Sequence, residues 1–151
     1  MDDTADVIET LNDLIETCKD GEYGFRLCSE HADSAQLKST LSQRAAECQT
    51  AAAQLQAHVA ALGGEADTDG SVLGAVHRGW VTVKASLSSK DDLAMLEECE
   101  RGEDAALQSY RDALKTDLPA AIRTLVEQQA DGVKRNHDLI RRLRDTLKAA
   151  N

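Results

Sequence analysis

The sequence predicts an all-α fold, a bundle of four long helices. Three observations carry this. Aromatic residues make up only 3% of the chain and proline occurs once. The strong helix formers Ala, Leu, Glu, Gln, Lys and Arg are frequent. Apolar residues recur every three to four positions along four long segments, which is the spacing of one helical face. At 151 residues the chain suits a single domain, residues 1–151, around one core.

The first predicted helix spans about residues 4–32, with a seam of Ile8, Leu11, Ile15, Cys18, Glu22, Phe25, Ser29 and Ala32. Gly21 and Gly24 lie inside it, each costing about 1 kcal/mol relative to Ala, so they point to a close helix contact or a local distortion beside Glu22. Asp33 or Ser34 starts the second helix, with Gln36 completing a capping-box pattern to Asp33. Its seam is Leu41, Ala45, Cys48, Ala52, Leu55, Val59 and Leu62, and Gly63-Gly64 stops it. Residues 64–70 read as a loop. A shorter amphipathic helix is expected at about 71–87, with Val72, Leu73, Val76, Trp80, Val83 and Leu87 on one side and Trp80 as its anchor.

The third long helix follows Ser88-Ser89-Lys90-Asp91-Asp92, with a seam of Leu93, Leu96, Glu100, Glu103, Leu107, Tyr110 and Leu114. Asp117 caps the fourth, and Pro119 falls in its first turn, where a missing N–H does no harm. Ile122, Val126, Gln129, Val133, Asn136, Ile140, Leu143 and Leu147 mark its inner face. Short turns make two antiparallel hairpins. The crossover helix is long enough, at 1.5 Å per residue, to return the chain to the end where the second helix began. That gives the up-down-down-up order of ferritin-like bundles.

A weak internal echo suggests two related hairpins. Cys18-Lys19-Asp20-Gly21-Glu22 matches Cys99-Glu100-Arg101-Gly102-Glu103, and Arg44 and His58 have the same separation as Arg123 and His137.

The formal net charge of −10 argues against nucleic acid and anionic membranes as partners. The acidic N-terminus lacks the basic-then-apolar pattern of a secretory signal, and no apolar stretch is long enough to span a bilayer, so a cytoplasmic location is expected. The four cysteines, at 18, 28, 48 and 99, form no Cys-x-x-Cys pair and read as reduced core thiols.

Several segments resemble an uncharacterised bacterial family of ferritin-like four-helix bundles, a domain of unknown function. They are Leu11-Asn-Asp-Leu-Ile-Glu-Thr-Cys-Lys-Asp-Gly-Glu-Tyr-Gly-Phe-Arg26, His77-Arg-Gly-Trp80, Leu96-Glu-Glu-Cys-Glu-Arg-Gly-Glu-Asp104 and Gln129-Ala-Asp-Gly-Val-Lys-Arg-Asn-His-Asp138. The resemblance runs through most of the chain and implies the ferritin-like fold. It implies little about activity.

The functional question lies with the polar groups on apolar stripes. Buried carboxylates are costly unless paired. Di-metal carboxylate bundles take one Glu from each of two helices and a Glu-x-x-His from each of the other two. Glu22 and Glu103 suit the lone acids. The second and fourth helices offer Glu47-Cys-Gln-Thr50 and Gln129-Ala-Asp-Gly132 instead of Glu-x-x-His. Iron or manganese bound at a degenerate set of Glu22, Glu47, Glu100 and Glu103 is therefore one expectation. The other is a metal-free polar core layer of Arg44, Gln129, Asn136 and His137 with the acids. Counting back from the turns sets Glu22 level with Arg44 and Glu103 level with Gln129, and Glu100 within reach of Lys134, Arg135 or solvent. No nucleophile–base spacing or phosphate loop is present. Two functions follow: a non-enzymatic bundle with a structural, assembly or stress-associated role as a homodimer or larger homo-oligomer, or a metal-binding bundle. A small ligand between the helices stays open beside both.

Overall fold

A computed structural model describes residues 3–66 and 92–150. It contains four helices, α1 (Asp3–His31), α2 (Ala35–Ala61), α3 (Asp92–Leu114) and α4 (Ala120–Ala150), and no strand among the described residues. The expected crossover helix at 71–87, with Trp80 and the His77-Arg-Gly-Trp80 segment, lies outside the described residues. Among those described, no helix is long and apolar enough to cross a membrane.

Local chemistry sets the helix ends. Ser34, not Asp33, caps α2: its side chain accepts the Leu37 N–H at 3.3 Å. The shorter Ser side chain here replaces the expected capping box. Leu62 ends the helix, and Gly63 follows at φ 83°, where glycine alone sits without strain. Helix α4 begins one residue after Pro119, whose carbonyl accepts the Arg123 N–H at 2.8 Å. Proline has lost only a donor that a helix start leaves unpaired.

The helices form a ring in which α1 touches α2 and α3, α4 packs on α3, and α2 and α4 meet only sparingly. Paired residues fix the directions. Glu103 meets Asn136 and Glu100 meets Arg144 further along, so α4 runs antiparallel to α3; Cys18 meets Tyr110 while Asp33, just past the end of α1, meets Asp92 at the start of α3, so α1 does too. Helices α2 and α3 lie diagonally and run the same way. The Asp92 carboxylate accepts the backbone N–H groups of Asp33 (2.9 Å) and Ser34 (3.2 Å), clipping the start of α3 to the start of α2. The crossover thus returns the chain to that end, giving the up-down-down-up order.

The core is divided in two. One apolar cluster, with Phe25, Cys28, Leu41, Met95, Cys99 and Ile140, fills the end near the α1–α2 turn. The other, with Leu11, Ile15, Leu55, Val59, Tyr110 and Val126, fills the opposite end. Burial of such side chains, at about 1.5–3 kcal/mol each, is the main support of the bundle. Close approach of α1 and α2 depends on Gly21, where an added Cβ would sit 3.0 Å from the Cys48 Sγ. This is a close contact of the kind the glycine pair in the sequence announced.

Candidate functional site

Polar groups and a cavity interrupt the core where the two apolar clusters meet. Glu103, on the inner face of α3, has a side chain only 2% exposed. Its Oε1 accepts from Arg44 Nη2 of α2 at 3.3 Å and its Oε2 from Asn136 Nδ2 of α4 at 3.1 Å. Arg44, 9% exposed, lies with Cζ 5.8 Å from the centroid of Phe25, so the ring of α1 shares in holding the guanidinium. One buried carboxylate therefore joins three helices, and a fourth adds an aromatic face.

Burial lifts the Glu103 carboxyl above its ordinary value, because a low-dielectric site disfavours the charged form. Arg44 and Asn136 pull it back only in part.

A second chain of hydrogen bonds runs beside this one. Tyr110 donates its hydroxyl proton to Gln129 Oε1 at 2.8 Å. Its oxygen is 3.2 Å from Cys18 Sγ, so with the phenol proton committed to Gln129, the thiol is the donor there. Gln129 Nε2 in turn donates to the Ala51 carbonyl (3.3 Å) and to Gln54 (3.1 Å) of α2. Burial raises the Cys18 thiol to about 11. Burial raises Cys48 and Tyr110 likewise. Cys99 is raised by its hydrogen bond with Cys28 and then by burial. All four cysteines are buried free thiols.

The remaining expected residues disperse. Glu22 is 21% exposed and bound to Arg26 one turn on, at 3.1 Å. Arg44 therefore pairs with Glu103 and not with Glu22: a local cation has already claimed the α1 acid. Glu47 is 53% exposed and lies 3.6 Å from Arg44. Glu100 is held by Arg144, not by Lys134 or Arg135. His137 Nε2 lies 2.7 Å from Asp104 at the rim. Glu103 meets Asn136 rather than Gln129; Gln129 is bound by Tyr110 instead.

A di-metal centre would need carboxylates and imidazoles converging on one point. Among the described residues, no three His, Cys, Asp or Glu side chains gather in that way. A guanidinium fills the position beside Glu103 that a cation would take. The residues do not fit a carboxylate-bridged metal pair.

Two buried acids were not anticipated. Asp20 of α1 is 2% exposed, although the period of the seam places it off the apolar stripe. Gly21 beside it, where α2 comes close, was the available signal. Glu98 is buried against Arg101, which binds both its oxygens at 2.9 Å.

Residues 6–116 match the family described as a domain of unknown function, DUF2383, and the chain belongs to that family. Among solved structures, a point mutant of Dps1 from Mycobacterium smegmatis is similar in fold, with a TM-score of 0.76. The match covers 95% of this chain and 99% of that chain at 14% sequence identity. At that identity the likeness concerns the fold, which is ferritin-like. No curated protein matches the chain.

Proposed function

We propose that this protein is a non-enzymatic, cytoplasmic ferritin-like bundle, one domain over residues 1–151, in which an internal salt bridge takes the place of metal chemistry. It acts through assembly as a homodimer or larger homo-oligomer in a structural or stress-associated role. The observation that carries this is the Arg44–Glu103 pair, 3.3 Å apart at the centre of the bundle. It neutralises Glu103, the acid bonded from both α2 and α4, with a cation of the chain itself. The raised thiols and phenol of the same layer are protonated at neutral pH and supply no nucleophile. Assembly is supported by Tyr23, a large side chain 39% exposed on α1. Aromatic residues on outer faces favour interfaces. The net charge of −10 disfavours nucleic acid and anionic membranes as partners.

The test is elemental analysis of protein purified without chelator, run beside sedimentation of the same sample. Substoichiometric metal and a dimer or larger species are expected. Stoichiometric iron, manganese or zinc that disappears in Glu22→Ala and Glu103→Ala would overturn the salt-bridge assignment. A monomer at all concentrations would overturn assembly.

A further inference from the structure

We propose that the outer face of α4 docks on the outer face of α1 of a second copy of this chain, in a head-to-tail contact carried by opposite charge. The inference rests on the assembly role proposed above and names the surfaces that form it.

Charge is divided unevenly between the helices. Helix α1 holds eight Asp and Glu against two Lys and Arg, and residues 3–18 contain no base at all. Helix α4 reverses the balance, with seven Lys and Arg against four Asp and Glu. On α1, Asp6, Glu9 and Asp13 are exposed and make no ion pair among the described residues. On α4, Lys134 answers Asp138 at 3.5 Å and Arg144 answers Asp145 at 3.0 Å. Arg135, Arg141 and Arg142 are left exposed, with no ion pair among the described residues. The helix dipole explains neither set, because its effect fades within a turn of the helix end. Glu9 and Asp13 lie beyond the first turn of α1, and the three arginines lie two turns or more before the end of α4.

The two sets match in spacing. Asp6 and Asp13 are seven residues apart, as are Arg135 and Arg142, so each pair rises by about 10.5 Å along its helix. Tyr23, 39% exposed, lies two heptads past Glu9 and continues that face of α1, adding apolar area beside the charges. A second copy suits the arginines better than a long polyanion does. A polyanion would run on to Asp131, Asp138 and Asp145, which are exposed on the same side of α4. Repulsion between two copies of net charge −10 is screened beyond about 8 Å at physiological salt, and charges in contact are screened much less. Helices α1 and α4 are diagonal in the ring, so each contact leaves an α1 face free on one copy and an α4 face free on the other. The assembly is therefore a ring or an open chain.

The test is sedimentation of three full-length proteins at low salt: wild type, Glu9→Lys with Asp13→Lys, and Arg141→Glu with Arg142→Glu. All four positions are exposed and the new residues are good helix formers, so circular dichroism should match wild type. Each variant alone is expected to self-associate about 100-fold more weakly, because like charges then face each other. An equimolar mixture of the two variants should recover assembly, since each presents the charge that the other lacks. Salt at about 0.5 M should weaken the wild-type assembly. Unchanged self-association in either variant would overturn this contact and leave the assembly role standing. Loss in both variants with no recovery on mixing would overturn the pairing of the two faces. A monomeric wild type would overturn both readings; retention of a polyglutamate peptide by that monomer, lost in the arginine variant, would give the α4 face to an acidic partner instead.

Discussion

The echoing segments Cys18–Glu22 and Cys99–Glu103 begin from nearly the same letters and end in different chemistry. In both, the cysteine and the glycine three residues later face inward. The glutamates then part. Glu103 has Leu107 one turn on, so no cation of its own helix can reach it, and its charge is met from α2 and α4. Glu22 has Arg26 one turn on and turns to it at the rim. The acid that α1 buries is Asp20 instead. Spacing along a helix selects a face, but the nearest available cation decides whether an acid on that face is carried into the core.

The comparison breaks most visibly by removing one partner of the central pair. Glu103→Ala should lose about 3–5 kcal/mol of stability in denaturant unfolding, because it strands a buried guanidinium; a loss below 1 kcal/mol would make the two segments energetically alike. Arg44→Ala should behave similarly. Replacing both, as Arg44→Leu with Glu103→Leu, should recover that loss and leave the protein neutral to about 4 kcal/mol more stable. A double variant as weak as the singles would show that Arg44 acts by shape rather than charge.

A subtler contrast is the pH response. The native Glu103 carboxyl titrates above the 4.5 of the unfolded chain. Between those two values the native state holds a proton that the unfolded state has released. Stability from this group is therefore full at the acid end and declines as pH rises. Wild type should lose stability relative to Glu103→Gln as pH rises above 4.5, measured as the difference between the two unfolding curves. A difference that grows with pH would mean the ion pair outweighs burial. The smallest effect belongs to Glu22→Ala. An exposed i,i+4 pair is worth about 0.3–0.5 kcal/mol, so its unfolding midpoint should barely move.

The architecture was legible because helix ends are local chemistry. The first helix was expected at about 4–32 and is Asp3–His31; the third was placed from Leu93 to Leu114 and starts at Asp92. The stop at Gly63 and the start near Pro119 were read from single residues. The partners across the core were less legible. Counting from a turn finds residues of equal height on adjacent helices, but Arg44 and Glu103 sit on diagonal ones, whose register depends on the crossover. Gln129 was sensed as a core polar group, yet its partner Tyr110 looked like ordinary core. Asp20 escaped because a 3.6-residue period assumes one buried stripe, and α1, touching both α2 and α3, buries more than one.

The clip at Asp92 has a consequence for which changes of length the chain can accept. It joins positions 33 and 92, a separation of 59, and the Arg44–Glu103 bridge spans the same 59. Two fasteners share one ruler. A single residue inserted between 34 and 44 would swing the guanidinium about 100° around its axis and about 1.5 Å along it, so one fastener must let go. Insertions in the connecting loops are cheap by comparison. This stretch of α2 is a gauge block, and mutational scanning should find it intolerant of any added or deleted residue even where substitutions pass unnoticed.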